Sequence, residues 1–173
     1  MPADRAALAA RRAGPTGDRT PHRTAGAAAP LLQVTLPSEA MAVRGALAQL
    51  LAKLEPLELT EDCRHQTELV LAEVLNNVVE HAYAVRPGPI LLEVRLEGPY
   101  LACRVRDEGL PMPDGTPPSG SQALLDVPLE SLPEGGFGWF LIRSLTRNLT
   151  YVREVGGNQL TFLLPLDRRP PRS

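Results

Sequence analysis

Prolines and glycines break residues 31–166 into short segments, and these breaks limit the folds that the chain can adopt. Pro37 ends a first apolar segment, and Pro56 ends a helix pattern that Ser38 is placed to cap. Thr60 is placed to cap a second helix. In order, the pattern predicts a strand at 31–36, helices at 38–54 and 60–84, strands at 90–96 and 100–105, a helix at 137–146, and strands at about 149–155 and 160–164.

This order of elements predicts an α+β two-layer sandwich. About three helices would pack on one face of a mixed, largely antiparallel sheet. The last two strands meet at Gly156-Gly157-Asn158, which is a good hairpin signal. A loop rich in proline and glycine fills residues 107–136, and a short turn is possible within it at 124–129. Such a long loop in a compact domain is usually functional or mobile.

The chain is predicted to form one domain, at residues 31–166, between two tails. Residues 1–30 contain almost no large apolar side chain, so they cannot bury enough surface to offset their ordering entropy. We expect that segment to be a disordered tail. Residues 167–173 form a short C-terminal tail rich in arginine and proline.

The charged residues exclude several classes of nucleotide-handling protein. The net charge of −2 argues against general nucleic-acid binding, which usually requires a basic excess. Lys53 is the only lysine and lies in Leu-Ala-Lys-Leu. It therefore fits neither a Walker A loop nor the strand lysine of a eukaryotic-type kinase. If the chain handles a nucleotide, it must do so in another way.

The cysteines and histidines give little evidence for a metal or disulfide site. Cys63 and Cys103 lie far apart without a CxxC partner, which suits a reduced cytoplasmic interior. His22, His65 and His81 form no HExxH motif. Cys63 and His65 give a weak metal pair, and an ordinary helix surface explains them better. No apolar run is long enough to span a membrane.

The second predicted helix carries one polar face without lysine or arginine. Its members, at helical spacing, are Glu73, Asn76, Asn77, Glu80 and His81. A solvated amphipathic helix is the simpler interpretation. However, tandem asparagines inside a helix cost several tenths of a kcal/mol each, and the face lacks the basic side chains of a typical surface. A functional face is therefore a reasonable hypothesis.

Two further motifs are weak alone. Asp107-Glu108-Gly109 lies where a strand meets the long loop, and Asp and Gly are ordinary turn residues. A carboxylate at a strand end can nevertheless accept a hydrogen bond from an adenine amino group. Gly136-Phe137-Gly138 opens the third helix, where glycines allow close approach and free N–H groups can face phosphate. A loop hinge explains the same glycines.

The three motifs in this order resemble the GHKL (Bergerat-fold) ATPases, over about residues 31–166. The stretch from Glu73 to Asn77 resembles the N box, Asp107-Glu-Gly109 the G1 box, and Gly136-Phe-Gly138 the G2 box. Within this family, the chain resembles the anti-sigma-factor serine/threonine kinases. The resemblance rests on its short length, on the spacing from Glu73 to His81, and on the sequence Arg-Asp-Glu-Gly. A histidine-kinase fragment would normally follow a dimerising helix with a phosphorylatable histidine, and His22 lies in the predicted tail.

The resemblance implies ATP and Mg²⁺ as cofactors. Asn77 would place an oxygen on Mg²⁺, with Asn76 as a less direct helper. Asp107 would accept a hydrogen bond from the adenine amino group, and Gly109 would let the chain turn beneath the base. Glu73 would be the general base, orienting a serine hydroxyl or a water for attack on the γ-phosphate.

The remaining motif residues are expected around the phosphates and the loop. Gly136, Phe137 and Gly138 would bring loop and helix N–H groups to the phosphates. His81 would have a structural or loop-contact role beside the nucleotide. Pro111 stands where the family often has a further glycine, so the loop after the adenine site should be stiffer than usual.

The resemblance also implies partners. The protein would bind a sigma factor, phosphorylate a small antagonist protein on serine, and form a homodimer, without nucleic acid or membrane. Two alternatives stay open. One is a non-catalytic ATP-binding module that sequesters a partner, and the other is a simple ATP hydrolase.

Overall fold

The computed structural model describes residues 29–118 and 136–170, which form three α-helices and five β-strands. The strands are β1 (Leu32–Pro37), β2 (Pro89–Glu97), β3 (Tyr100–Asp107), β4 (Arg147–Glu154) and β5 (Gly157–Pro165). The helices are α1 (Ala40–Leu54), α2 (Glu61–Asn77) and α3 (Gly136–Leu145), with short 3₁₀ turns at Glu55–Leu57 and Pro113–Gly115 and a π-helical turn at Val78–Ala82.

The sheet has the strand order β1-β2-β3-β5-β4, and every neighbouring pair is antiparallel. Burial alternates along the central strands with the period of two that a sheet with one covered face requires. The three helices cover that face, so the predicted two-layer sandwich is confirmed. Within the described residues the sheet is wholly antiparallel rather than mixed.

The core lies between this covered face and the helices. It consists almost entirely of aliphatic side chains, because the sequence has few aromatic residues. Phe162 on β5 and Trp139 on α3 are the large exceptions. None of the helices in the described part of the chain is long and apolar enough to cross a membrane.

Helix α2 begins as predicted but ends differently. The Thr60 side chain accepts a hydrogen bond from the Cys63 N–H at 3.3 Å, which is the expected N-cap. The helix was predicted to run to about residue 84, and helical structure does continue to Ala82, but its last turn is not α-helical. The α-helix gives way after Asn77 to the π-helical turn, in which the Tyr83 N–H bonds to the Val78 carbonyl. The i→i+5 bond marks a π-bulge, a feature that is frequent at functional sites.

Helix α1 has no side-chain cap, so the prediction that Ser38 caps it is wrong. The N-cap residue is Glu39, and its side chain makes no capping bond. Ser38 instead exchanges hydrogen bonds with Gly88, whose N–H donates to Ser38 Oγ at 3.1 Å. This pair ties the end of β1 to the start of β2, because the two strands are neighbours in the sheet.

The β4–β5 turn also lies earlier than predicted. Strand β4 ends at Glu154 and β5 begins at Gly157, so Asn158 is a strand residue and not a turn residue. Asn158 pairs with Asp107 of β3 and is buried. The predicted turn at 124–129 and nearly all of the predicted N-terminal tail lie outside the described residues.

Candidate functional site

A cleft opens between α2, the end of β3, β5 and α3. Its walls are mostly apolar and its empty space is about 580 Å³, counted out to the mouth. Apolar walls with a few polar groups are typical of sites for flat organic rings. The lining side chains include Val74, Asn77, Val78, His81, Val105, Asp107, Leu110, Met112, Trp139, Tyr151, Asn158 and Leu160.

Asp107 is the buried acid of this cleft, with 7% of its surface exposed. Its Oδ1 atom accepts hydrogen bonds from Asn158 Nδ2 at 2.6 Å and from the Gly109 N–H at 2.9 Å. Among the described residues, no group donates to Oδ2. Burial raises the pKa of Asp107, while the bonds from Asn158 and Gly109 and the charge of Arg153 oppose that rise. The carboxylate therefore has one anchored oxygen and one free acceptor.

Asn77 contributes an unpaired amide to the same cleft. Its Nδ2 atom is fully covered, yet it has no hydrogen-bond partner within the described residues. An unsatisfied buried amide is costly in a folded protein and often marks a place where a ligand binds. His81 lies one turn further along and also faces the cleft. It is the one described lining side chain that can carry a positive charge.

Glu73 lies beside the cleft, against the first turn of α3. A Cβ atom added to Gly138 would overlap the Glu73 carboxylate and lie 3.3 Å from its Cδ atom. Glycine at 138 thus leaves room for the Glu73 carboxylate in its present position, although that flexible side chain could move to admit a Cβ atom. The contact brings a carboxylate of α2 to the N-terminal turn of α3, where the first backbone N–H groups have no partner within the helix.

The turn after β3 docks on the π-helical turn. The Leu110 N–H donates to the Ala82 carbonyl at 2.8 Å. A Cβ atom on Gly109 would overlap that carbonyl and lie 2.6 Å from its carbon. Gly109 does not have a positive φ angle, so its backbone conformation does not require glycine. The close approach of the Ala82 carbonyl does.

The comparison with known families decides the identity of the fold. The model of the histidine kinase-like ATPase domain family matches residues 36–164, well over half of the chain. This chain belongs to the histidine kinase-like ATPase domain family. It is therefore an ATPase domain of the GHKL type, as the three motifs imply.

One solved structure supports this fold. The RsbU and RsbW domains of Rv1364c from Mycobacterium tuberculosis align with a TM-score of 0.57 at 22% identity, over 82% of this chain and 33% of that one. The Erythrobacter litoralis EL346 blue-light activated histidine kinase aligns with a TM-score of 0.41 at 21% identity, over 62% of this chain and 32% of that one. This ATPase domain thus spans about a third of each solved chain. A comparison with curated proteins gives no match.

The residues of the ATPase domain fit a magnesium nucleotide. The described residues contain no group of three His, Cys, Asp or Glu side chains that could cage a metal. Mg²⁺ in nucleotide sites takes most of its ligands from phosphate and water, so one protein oxygen is sufficient. Asn77 lines the cleft, and its side-chain amide supplies an oxygen of the kind that Mg²⁺ accepts as a ligand. Asn77 could therefore hold the ion.

The structure brings some of the predicted residues together and leaves others apart. Asn77, His81 and Asp107 line one cleft, with Glu73 and Gly138 at its α3 side. Six predicted site residues are not among the described residues that line that cleft: Glu73 and Gly138 lie beside it, Gly109 lies in the turn after β3, and three others lie further away. Asn76 is half-buried on α2, Gly136 begins α3, and Phe137 is 48% exposed and stacks on Phe140.

Sequence reasoning missed two polar side chains that support the base side of the cleft, Asn158 and Tyr151. Asn158 was assigned to a hairpin turn. Its period-two spacing with Leu160, Phe162 and Leu164 is the signal that places it on the covered face of β5. Tyr151 gave no signal, because its hydroxyl bonds to Met112 in the loop after β3 and to Asn158 across the β4–β5 hairpin, contacts that no local spacing encodes.

Gly109→Ala should disrupt the site through the backbone. The added methyl group meets the Ala82 carbonyl, which cannot yield as a side chain could, so we expect a loss of about 1–3 kcal/mol in the free energy of unfolding. Chemical denaturation measures this change. Gly45→Ala is the matched control, because its methyl group meets nothing within 4 Å. This change on α1 should stabilise the protein by about 0.5–1 kcal/mol. Equal effects of the two changes would contradict the packing argument.

Proposed function

We propose that this protein is an ATP-dependent serine/threonine protein kinase of the anti-sigma-factor type. One observation carries the proposal. A free carboxylate oxygen on Asp107 and an unpaired amide on Asn77 face the same apolar cleft, while the Glu73 carboxylate lies at its α3 side. These groups have the chemistry to recognise a base, to hold a metal on phosphates and to accept a proton.

The base would enter the apolar part of the cleft. Its amino group would donate to Asp107 Oδ2, and Val105, Met112 and Leu160 would contact its faces. Asn77 would hold Mg²⁺, which neutralises phosphate charge when bound. The phosphates would lie toward the first turn of α3, where Gly138 allows close approach and the helix dipole favours negative charge.

Glu73 would act as the general base. One helical turn separates it from Asn77, about 6 Å along the axis, so a base and a metal ligand can serve one phosphate. Glu73 would orient an acceptor hydroxyl and take its proton as the oxygen attacks the γ-phosphate in line. No lysine or arginine lines the described part of the cleft, so bound Mg²⁺ and the N-terminus of α3 would be the sources of positive charge near the phosphates.

The partners follow from the type of kinase. The protein would act in the cytoplasm as a homodimer, bind a sigma factor and phosphorylate a small antagonist protein on serine. The likeness to a chain that contains an RsbW domain supports this branch of the family through its fold. A non-catalytic ATP-binding module is the alternative. It is favoured by Pro111 and the other prolines near the cleft, which stiffen the segment after the base site.

Incubation with γ-labelled ATP, Mg²⁺ and small candidate antagonist proteins of the same genome tests the proposal. We expect label on a serine of one antagonist, and that antagonist should release a bound sigma factor. Binding of ATP without label on any protein would favour the non-catalytic module. Release of free phosphate without a labelled protein would favour a simple ATP hydrolase.

A further inference from the structure

Asn158 is a buried strand residue whose amide makes a full set of hydrogen bonds. Its Oδ1 accepts from the Tyr151 hydroxyl at 2.6 Å and from Arg153 at 2.8 Å. Its Nδ2 donates to Asp107 Oδ1 at 2.6 Å and to the Leu110 carbonyl at 3.0 Å. The amide therefore joins β4, the end of β3 and the turn that follows it.

The partners fix which way this amide points. The guanidinium of Arg153 can only donate, and the carbonyl of Leu110 can only accept. If the amide were flipped, its NH₂ group would face the Arg153 guanidinium, which is also a donor. Its oxygen would face the Leu110 carbonyl, which is also an acceptor. The Met112 N–H also donates to the Tyr151 hydroxyl at 3.0 Å, which leaves the hydroxyl hydrogen for Asn158. Asn158 consequently presents N–H, and never oxygen, to Asp107.

The orientation of the Asn158 amide determines which oxygen of Asp107 is left to accept a hydrogen bond from a ligand. Oδ1 receives two N–H groups, from Asn158 and Gly109, so that oxygen is already occupied by hydrogen bonds within the protein. Oδ2 remains as an acceptor beside apolar walls. A buried acceptor such as Oδ2 favours a ligand that places a hydrogen-bond donor opposite it. A ligand that places a second acceptor there would leave both acceptors unpaired, which weakens its binding.

We propose that Asn158, held by Tyr151 and Arg153, is the positioning residue that makes this site prefer a purine with an amino group to one with a carbonyl at the same position. The inference rests on the proposed function, since it concerns the base of the same nucleotide. It assigns the choice between adenine and guanine nucleotides to a residue that does not need to touch the base. Without the amide of Asn158, the carboxylate loses one of its two anchors and can rotate.

The ratio of the dissociation constants for GTP and ATP tests this role. Trp139 is the only tryptophan in the sequence and lines the cleft, so its fluorescence can report binding of both nucleotides. In Asn158→Val we expect the preference for ATP to fall about tenfold, the effect of one good hydrogen bond. Tyr151→Phe keeps the aromatic ring and leaves the hydrogen bond from Arg153 to Asn158 in place. The preference of this variant for ATP over GTP should therefore fall by only about threefold.

Gln159→Val is the matched control, because Gln159 is the next residue of β5 and points to the other face of the sheet, toward Arg106. It should leave the ratio unchanged. If Asn158→Val and Tyr151→Phe weaken both nucleotides in proportion, the residues are merely structural and the inference is overturned. If Asn158→Val does not fold, Tyr151→Phe decides. A wild-type protein that binds neither nucleotide overturns the proposed function as well.

Discussion

Glu73→Gln should bind ATP with a dissociation constant within about threefold of the wild-type value, yet transfer phosphate roughly 10²- to 10⁴-fold more slowly. Glutamine fills the same space against Gly138, so the cleft should keep its shape. It cannot accept the proton of an attacking hydroxyl, which is the step assigned to Glu73. Trp139 fluorescence measures binding, and γ-labelled ATP measures transfer to a protein or to water.

Glu80→Gln is the matched control for this substitution. Glu80 was predicted on the same polar face, but it lies in the π-helical turn and is exposed. Its change should alter neither binding nor transfer. If Glu73→Gln transfers phosphate at the wild-type rate, Glu73 is not the base. If instead it weakens ATP binding as strongly as transfer, its role is in binding the nucleotide.

Asp107→Asn should weaken ATP binding by about 10- to 100-fold, the effect of losing a hydrogen bond to a buried charged acceptor. Asn158 would still donate to the new amide oxygen. The amide NH₂ would then face the cleft, where it opposes the amino group of adenine. Calorimetric titration with ATP and Mg²⁺ measures the loss. Asp114→Asn, at an exposed acid of the nearby 3₁₀ turn, is the control and should bind normally.

The same substitution should raise the thermal stability of the nucleotide-free protein at neutral pH. Burial raises the pKa of Asp107, so the folded state holds its proton at pH values where the unfolded state has lost it. Stability therefore falls as pH rises through the interval between the ordinary and the raised pKa, and the cost persists above it. Asparagine removes that cost. The gain in Tm should disappear below the ordinary pKa, and a lower Tm at pH 7 would contradict the argument.

The sequence pattern was sufficient for most of the fold. The polar face of α2, the capping Thr60 and the strand periodicity are local signals, and local signals are read reliably from spacing. Asn77 and Asp107 were predicted as site residues because their motifs occur in a recognisable order, and the structure places both of them at one cleft. These predictions needed no knowledge of which elements pack together.

What the sequence did not reveal depends on contacts between distant segments. The π-helical turn forms where the Ala82 carbonyl meets the Leu110 N–H, a contact that no helical period encodes. Tyr83 similarly accepts from the Glu108 N–H and donates to the Pro89 carbonyl, tying three segments together. Asn158 was misplaced because the two glycines before it resemble a turn, although the turn ends at Gly156 and β5 begins at Gly157.

If the proposed function is right, Asp107 and Asn77 together receive one magnesium nucleotide in the cleft. A crystal structure with a non-hydrolysable ATP analogue and Mg²⁺ shows whether they do. We expect the adenine amino group within hydrogen-bonding distance of Asp107 Oδ2 and the Asn77 oxygen on the metal. A nucleotide bound elsewhere, or an Asn77 side chain directed away from the ion, would contradict it.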